Sequence, residues 1–166
     1  KILVSWNSMM ISALSILYRI SGNEKYLNAA KISQKFIENN LCKNKRIYTS
    51  FRNGNRSGKS FLDDYAYYIS ALTELYNSTL NKDYLNKAEF FCSEAVKLFA
   101  DNKNGGFYLS EINNCELFIN PKETFDGAVP SGNSIMAYNF VRLYQLTEKD
   151  IYRDLIERQN KFMSVS

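Results

Sequence analysis

Met10-Ile-Ser-Ala-Leu-Ser-Ile-Leu-Tyr-Arg-Ile-Ser-Gly-Asn-Glu-Lys-Tyr-Leu27 decides the fold of this chain. Met10, Ala13, Leu14, Leu17 and Tyr18 recur at helical spacing, which predicts a helix. Ser21-Gly22 ends it, because glycine suits a helix C-terminal cap. A second helix is predicted from about residue 24 to 40, with Leu27, Ala30, Ile32, Phe36 and Ile37 apolar. Only Ser-Gly-Asn links the two, so they form an antiparallel αα-hairpin.

The unit recurs. Tyr18 is followed by Tyr26-Leu27, Tyr76 by Tyr84-Leu85 and Tyr144 by Tyr152, always eight residues on. The first and second units are offset by 58 residues, the second and third by 68. Ala13 and Ala71, Leu14 and Leu72, and Ala30 and Ala88 share the first offset. Repeats of this length mark a stack or ring of supersecondary units. The later hairpins are predicted at about 65–79 with 83–100, and 134–146 with 149–163. The first helix of each pair is nearly apolar all round, while the second carries Lys and Glu on one side. That contrast predicts inner and outer helical layers. The fold class is therefore all-α, an α/α toroid, with a plain helical solenoid as the alternative. Each long connection leads from an outer helix to the next inner one, so these loops share one rim, the usual place for function. Among them, 45–51 reads as a short extended segment and 52–59 as a polar loop. Gly106-Phe-Tyr-Leu109 and Glu116-Leu-Phe-Ile119 flank Asn113-Asn114 and predict a small β-hairpin in a connecting loop.

Composition bounds the rest. The 166 residues fit one domain, 1–166, or part of a larger one. A 45% hydrophobic and 14% aromatic content supports a core and argues against disorder. Net charge is +4 with Lys spread along the chain and no visible basic stripe, so no nucleic-acid partner is predicted. No apolar run approaches the roughly 20 residues of a membrane span. No secretory signal is recognisable, and a chain that does not begin with Met suits an excised piece. Cys42, Cys92 and Cys115 are too few and too scattered for a disulfide framework, which fits a reducing, cytoplasmic setting. With no histidine and no CxxC, neither a zinc site nor any other cofactor is predicted. The same lack excludes a Ser-His-Asp hydrolase within these residues.

The least generic stretch is Asp126-Gly-Ala-Val-Pro-Ser-Gly-Asn-Ser134, just before a predicted helix that Ser131 or Asn133 would cap. Taken from Pro121-Lys-Glu-Thr-Phe125 onward, and with Ile2-Leu-Val-Ser-Trp-Asn7 before Met10-Ile-Ser-Ala-Leu14, Phe61-Leu-Asp-Asp-Tyr-Ala66 and Asn104-Gly-Gly-Phe107, it resembles the YyaL family, thioredoxin-domain proteins related to a spermatogenesis-associated protein. The resemblance covers nearly the whole chain. It implies three αα-hairpins forming about half of an (α/α)6 toroid of six-hairpin, glycosidase-like type. It also implies, as partners in a longer protein, the remainder of the toroid and a thioredoxin-like domain. By fold analogy it points to carbohydrate. An open half-ring would expose apolar faces, so a homo-oligomer is expected.

Glycoside hydrolysis needs two carboxyl groups, one to protonate the leaving oxygen and one to activate water or attack the sugar. The rim carboxylates are Asp63, Asp64, Glu123 and Asp126; Asp64 and Asp126 are the preferred catalytic pair. Either could instead serve locally, Asp64 capping a helix and Asp126 holding its loop. Trp6, Tyr65 and Tyr68 offer flat faces to a sugar or belong to the core. Asn7, Asp63, Lys122, Ser131 and Asn133 complete a candidate binding set, with Arg52 as a further donor. Two functions follow: a carbohydrate-active domain working through rim carboxylates, or a non-catalytic binding or scaffold domain.

Overall fold

The computed structural model describes residues 1–112 and 118–164. Three αα-hairpins follow one another: α1 (Val4–Ser21) with α2 (Glu24–Leu41), α3 (Leu62–Thr79) with α4 (Lys82–Phe99), and α5 (Gly132–Thr147) with α6 (Asp150–Met163). Helices α1, α3 and α5 pack side by side as the inner layer, and each carries its own outer partner. This is the architecture of part of an (α/α)6 toroid.

The three inner helices end alike. Gly22, Leu80 and Glu148 each adopt a left-handed conformation and donate their N–H to Tyr18, Tyr76 and Tyr144, at 2.8, 2.7 and 2.8 Å. The repeated tyrosines thus mark one position in the fold. Asn23 and Asn81 then cap the outer helices, accepting from Lys25 and Asp83 N–H at 3.0 Å. Lys149 holds the third such position without a side-chain cap.

Helix α3 is the centre. Twelve of its residues are buried, so it is apolar on every face because every face is covered. Tyr65 stacks edge-to-face on Phe99 at 5.4 Å, and Tyr68 on Phe91 at 5.2 Å. Against α1 the seam is small: Ser8 and Ser15 are buried there, and Ser78 Oγ donates to Ser15 O at 3.1 Å. At the far end Glu74 takes Arg19 of α1 as a salt-bridge partner, with Arg142 of α5 at 3.9 Å. One buried carboxylate thereby ties all three inner helices. Helix α1 packs on α2 and α3, and its remaining side leaves Trp6, Met10, Leu17 and Ile20 exposed.

The small antiparallel sheet centres on β3 (Arg46–Arg52), which pairs with β1 (Ile2–Leu3), β2 (Cys42–Lys43) and β4 (Asn55–Lys59). The extended segment near 45–51 is therefore a strand, whereas the polar loop expected at 52–59 is corrected to its hairpin partner. Asn53 and Gly54 both take positive φ, the two-residue turn that matches strand twist. The hairpin expected at 106–109 with 116–119 falls partly on residues 113–117, outside the described residues. In its described part Phe107 bridges Ala100, and Leu109 N donates to Pro121 O at 2.8 Å. Cys42 and Cys92 are free thiols, both pushed up to about 12 by burial. No described helix is long and apolar enough to cross a membrane.

Leu80 and Glu148 bear the steric cost of left-handed backbone at exposed positions, whereas Gly22 does not. Leu80→Gly and Glu148→Gly should each stabilise the chain by roughly 0.5–1 kcal/mol in urea unfolding. Gly22→Leu should destabilise it by a similar amount.

Candidate functional site

The first turn of α3 carries two consecutive carboxylates, and successive helical residues point about 100° apart. Asp64 turns inward and is 2% exposed. It accepts from Phe61 N–H at 3.1 Å, from Thr49 Oγ1 at 2.9 Å and from the Ser5 N–H. Burial raises its carboxyl above the usual value, against those hydrogen bonds. Asp64, expected as one of the catalytic pair, is thus committed to starting the helix and joining it to β3.

Asp63 turns the other way, into a cleft of about 580 Å³ between α3 and the loop that precedes α5. Glu123, Phe125, Val129, Pro130 and Ser131 line the same cleft. Its carboxyl is pushed up to about 6, first by burial, then by the charges of Glu123 and Asp64; the Gly132 N–H pulls it partly back. Gly132 must be glycine here: a Cβ would lie 2.5 Å from Asp63 Oδ1 and 2.9 Å from Leu62. Tyr67, one turn along α3, donates to Pro130 O at 2.6 Å. Burial and the carboxylates of Asp63 and Asp126 push its phenol up to about 12.

Asp126 shapes the cleft wall. Its Oδ1 accepts from Ser131 N–H and from Ser134 Oγ, both at 2.8 Å, which holds its carboxyl below the usual value. Ser131 caps α5, accepting Ser134 N–H at 3.2 Å. Asn133 is buried and knits three segments. Its Oδ1 accepts from Phe107 N–H at 2.9 Å, and its Nδ2 donates to Phe107 O at 2.9 Å and to Glu123 O at 2.8 Å. Gln159 of α6 donates to the same Oδ1 at 3.1 Å. Lys122 also lines the cleft, but its ammonium is engaged elsewhere. It pairs with Asp101 and with Gly105 O, each at 2.7 Å, between the rings of Tyr108 and Phe162. That ammonium, with the Lys103 and Asn104 amides, holds Asp101 far below the carboxylate range.

The remaining expectations divide. Tyr65 and Tyr68 are corrected to core residues: both are fully buried, and their hydroxyls accept from Ile47 N–H and Gln34. Lys122 and Ser131 line the cleft with their polar groups engaged in the bonds above, and Asn133, buried, braces the loop behind it. Asn7 donates back to Leu3 O within its own helix start. Trp6 stands 69% exposed in the first turn of α1. The open acid is Asp63, with Glu123 beside it, and the exposed ring at this cleft is Phe125, which the sequence reading passed over. Its signal was its place between Glu123 and Asp126. Among the described residues no group of three His, Cys, Asp or Glu is arranged to hold a metal ion.

No family model matches the chain. It is 31% identical over 158 residues to spermatogenesis-associated protein 20 of Rattus norvegicus, covering 89% of this chain and 20% of that protein. To an uncharacterized protein of Caenorhabditis elegans it is 32% identical over 165 residues, covering 93% of this chain and 22% of the other. The chain thus spans about a fifth of the length of these curated relatives. Among solved structures it is similar to a cellobiose 2-epimerase from Bacillus thermoamylovorans, with a TM-score of 0.78 at 19% identity, over 95% of this chain and 42% of that one. A family 105 glycoside hydrolase from C. acetobutylicum matches with a TM-score of 0.77 at 17% identity, over 97% and 48%. A family 76 mannosidase from Bacteroides thetaiotaomicron gives 0.77 at 14%, over 96% and 43%. At these identities the likeness establishes the six-hairpin, glycosidase-like fold.

The raised carboxyl of Asp63 has a thermodynamic signature. The folded state binds this proton more tightly than the unfolded chain, so Asp63 costs stability as pH rises from about 3.8 through about 6. Asp63→Asn should therefore gain roughly 1–3 kcal/mol over the parent above pH 6 and nothing below pH 4. Urea unfolding at several pH values checks this, and an equal gain at every pH would refute the assignment.

Proposed function

We propose that this domain binds and acts on carbohydrate at the rim cleft, with Asp63 as the proton donor. The observation that carries the reading is a carboxyl group, half-withdrawn from water, beside a second carboxylate in an open cleft. A carboxylic acid that keeps its proton to about pH 6 can deliver it to a glycosidic oxygen. Glu123 is then the second carboxylate, as base or nucleophile. Phe125 offers an exposed apolar ring against which a sugar face can stack. Asp64 and Asp126, the pair first expected, act by position: Asp64 adds its charge to the field on Asp63, and Asp126 holds the loop. The fold shared with sugar epimerases and glycoside hydrolases supports the substrate class by analogy.

The surrounding protein is part of the proposal. The exposed apolar edge of α1 suits the next hairpin of a six-hairpin ring, so the remainder of the toroid would cover it. In a YyaL-type protein that ring accompanies a thioredoxin-like domain. A non-catalytic scaffold is the second reading. It is favoured by one observation: Asp64 and Asp126 are both engaged with helix-start amides.

Glucose, mannose, cellobiose and mannobiose should be titrated while amide and carboxyl NMR signals are followed. Shifts at Asp63, Glu123 and Phe125, abolished by Phe125→Ala and weakened about tenfold by Glu123→Gln, are expected. If all four sugars leave the cleft signals unmoved, the scaffold reading replaces this one.

A further inference from the structure

Residues 42–59 hold six cations, Lys43, Lys45, Arg46, Arg52, Arg56 and Lys59, and not one acid. The fold gathers them onto β2, β3 and β4. Lys43 and Lys45 flank one end of β3 and Arg52 closes the other, so the charge extends about 20 Å along the strand. The described acids offset it only in part, through the pairing of Arg46. Glu111 is taken by Arg46 at 2.6 Å, Glu38 by Lys87 at 2.6 Å, and Asp64 is buried behind Thr49. Arg56 lies over the Tyr48 ring, whereas Lys43, Lys45 and Arg52 are exposed at the turns.

Beside this sheet runs a cleft of about 400 Å³ lined by Lys1, Lys59, Phe61, the exposed hydroxyl of Ser57 and Glu111, whose carboxylate pairs with Arg46; the hydroxyls of Thr49 and Ser50 in its wall are bonded within the protein. Phe61 lines this cleft and Asp63, two residues on, lines the other, so the two clefts lie on either side of the first turn of α3. Hydroxyls donate to and accept from sugar hydroxyls, and exposed cations attract anionic groups along a chain. We propose that the sheet and this cleft bind an anionic polysaccharide, one carrying sulfate or carboxylate groups, and lead it to the Asp63 cleft. The proposal rests on the carbohydrate reading for its direction, and it adds the class of ligand.

The surface suits a glycan better than a single-stranded nucleic acid. Nucleic-acid grooves of that kind present open aromatic platforms for successive bases. Here Tyr48 is covered by Arg56 and Phe51 packs edge-to-face on Phe36 at 5.5 Å, so Phe61 offers a single exposed ring and no row of platforms for successive bases.

Biolayer interferometry against immobilised heparin, polygalacturonate, neutral dextran, an oligothymidylate of matched charge, and phosphatidylserine vesicles tests the proposal. Heparin or polygalacturonate should bind, dextran should not, and binding should weaken steeply with salt. The triple variant Lys43→Glu, Lys45→Glu, Arg52→Glu should lose at least about tenfold in affinity, while the Lys43→Arg, Lys45→Arg variant retains it. Binding of sulfated heparin alone or of polygalacturonate alone assigns the anionic group. Equal or tighter binding of oligothymidylate or vesicles overturns the proposal, as does failure to bind either acidic glycan. Should neutral sugars still shift Asp63 in that case, the carbohydrate reading survives without this extension. Heparin binding with a silent Asp63 cleft would retain the polyanion surface and reject the cleft.

Discussion

Two demands meet at helix α3. Its body must be apolar all round, because α1, α4 and α5 cover it, yet its first turn carries Asp63 and Asp64 side by side. A helix resolves this by rotation. One carboxylate is driven inward, where an unpaired charge would be costly, and the other reaches the rim. Asp64 is tolerable inside because three donors meet it: a helix-start amide, the Thr49 hydroxyl and the Ser5 amide. Asp63 receives one amide, from Gly132, and burial therefore wins in raising its proton affinity. The contrast between the two acids comes from donor number and exposure, not from residue type.

The rim loops are long, and length makes a loop loose unless polar groups fasten it. Asn133 spends its side chain on Phe107 and Glu123 backbone, and Asp101 collects Lys122, Tyr108 and the amides of its own turn. Both groups are buried, so each bond is made at low dielectric, where an unmatched group would be expensive. The result is a wall whose shape does not depend on a hydrophobic core of its own. Gly132 then allows α5 to approach α3 closely enough for its amide to reach Asp63.

Helices were legible because burial imposes a period, and the tyrosine repeat recovered the equivalence of the three inner C-termini. Their shared left-handed caps were visible only at Gly22, since Leu80 and Glu148 carry no such mark. Strand β4 escaped because Asn-Arg-Ser-Gly-Lys has no apolar face to alternate; its Asn53-Gly54 turn was the better signal. Which of Asp63 and Asp64 faces the rim depends on helical phase. Phase follows from where Leu62 and Tyr65 are buried, a tertiary fact. The same phase took Tyr65 and Tyr68 into the core. Lys122 looked available because its partner, Asp101, is distant in sequence and close only after folding. The expectation of no basic stripe is corrected at 42–59: six cations with no acid between them pass for scattered charge in the sequence, and the sheet gathers them.

The acid cleft and the cationic sheet are joined by a short physical path. Thr49 of β3 donates to Asp64, Asp64 and Glu123 act on Asp63 through their charge, and Asp63 accepts from the first amide of α5. The influences on Asp63 stop within that path: burial, Glu123, Asp64 and the Gly132 amide set its proton affinity, and no cation of the sheet is among them. One helix start thus serves both surfaces: Asp64 fastens it to the sheet through Thr49, and that attachment fixes the phase that turns Asp63 toward the cleft.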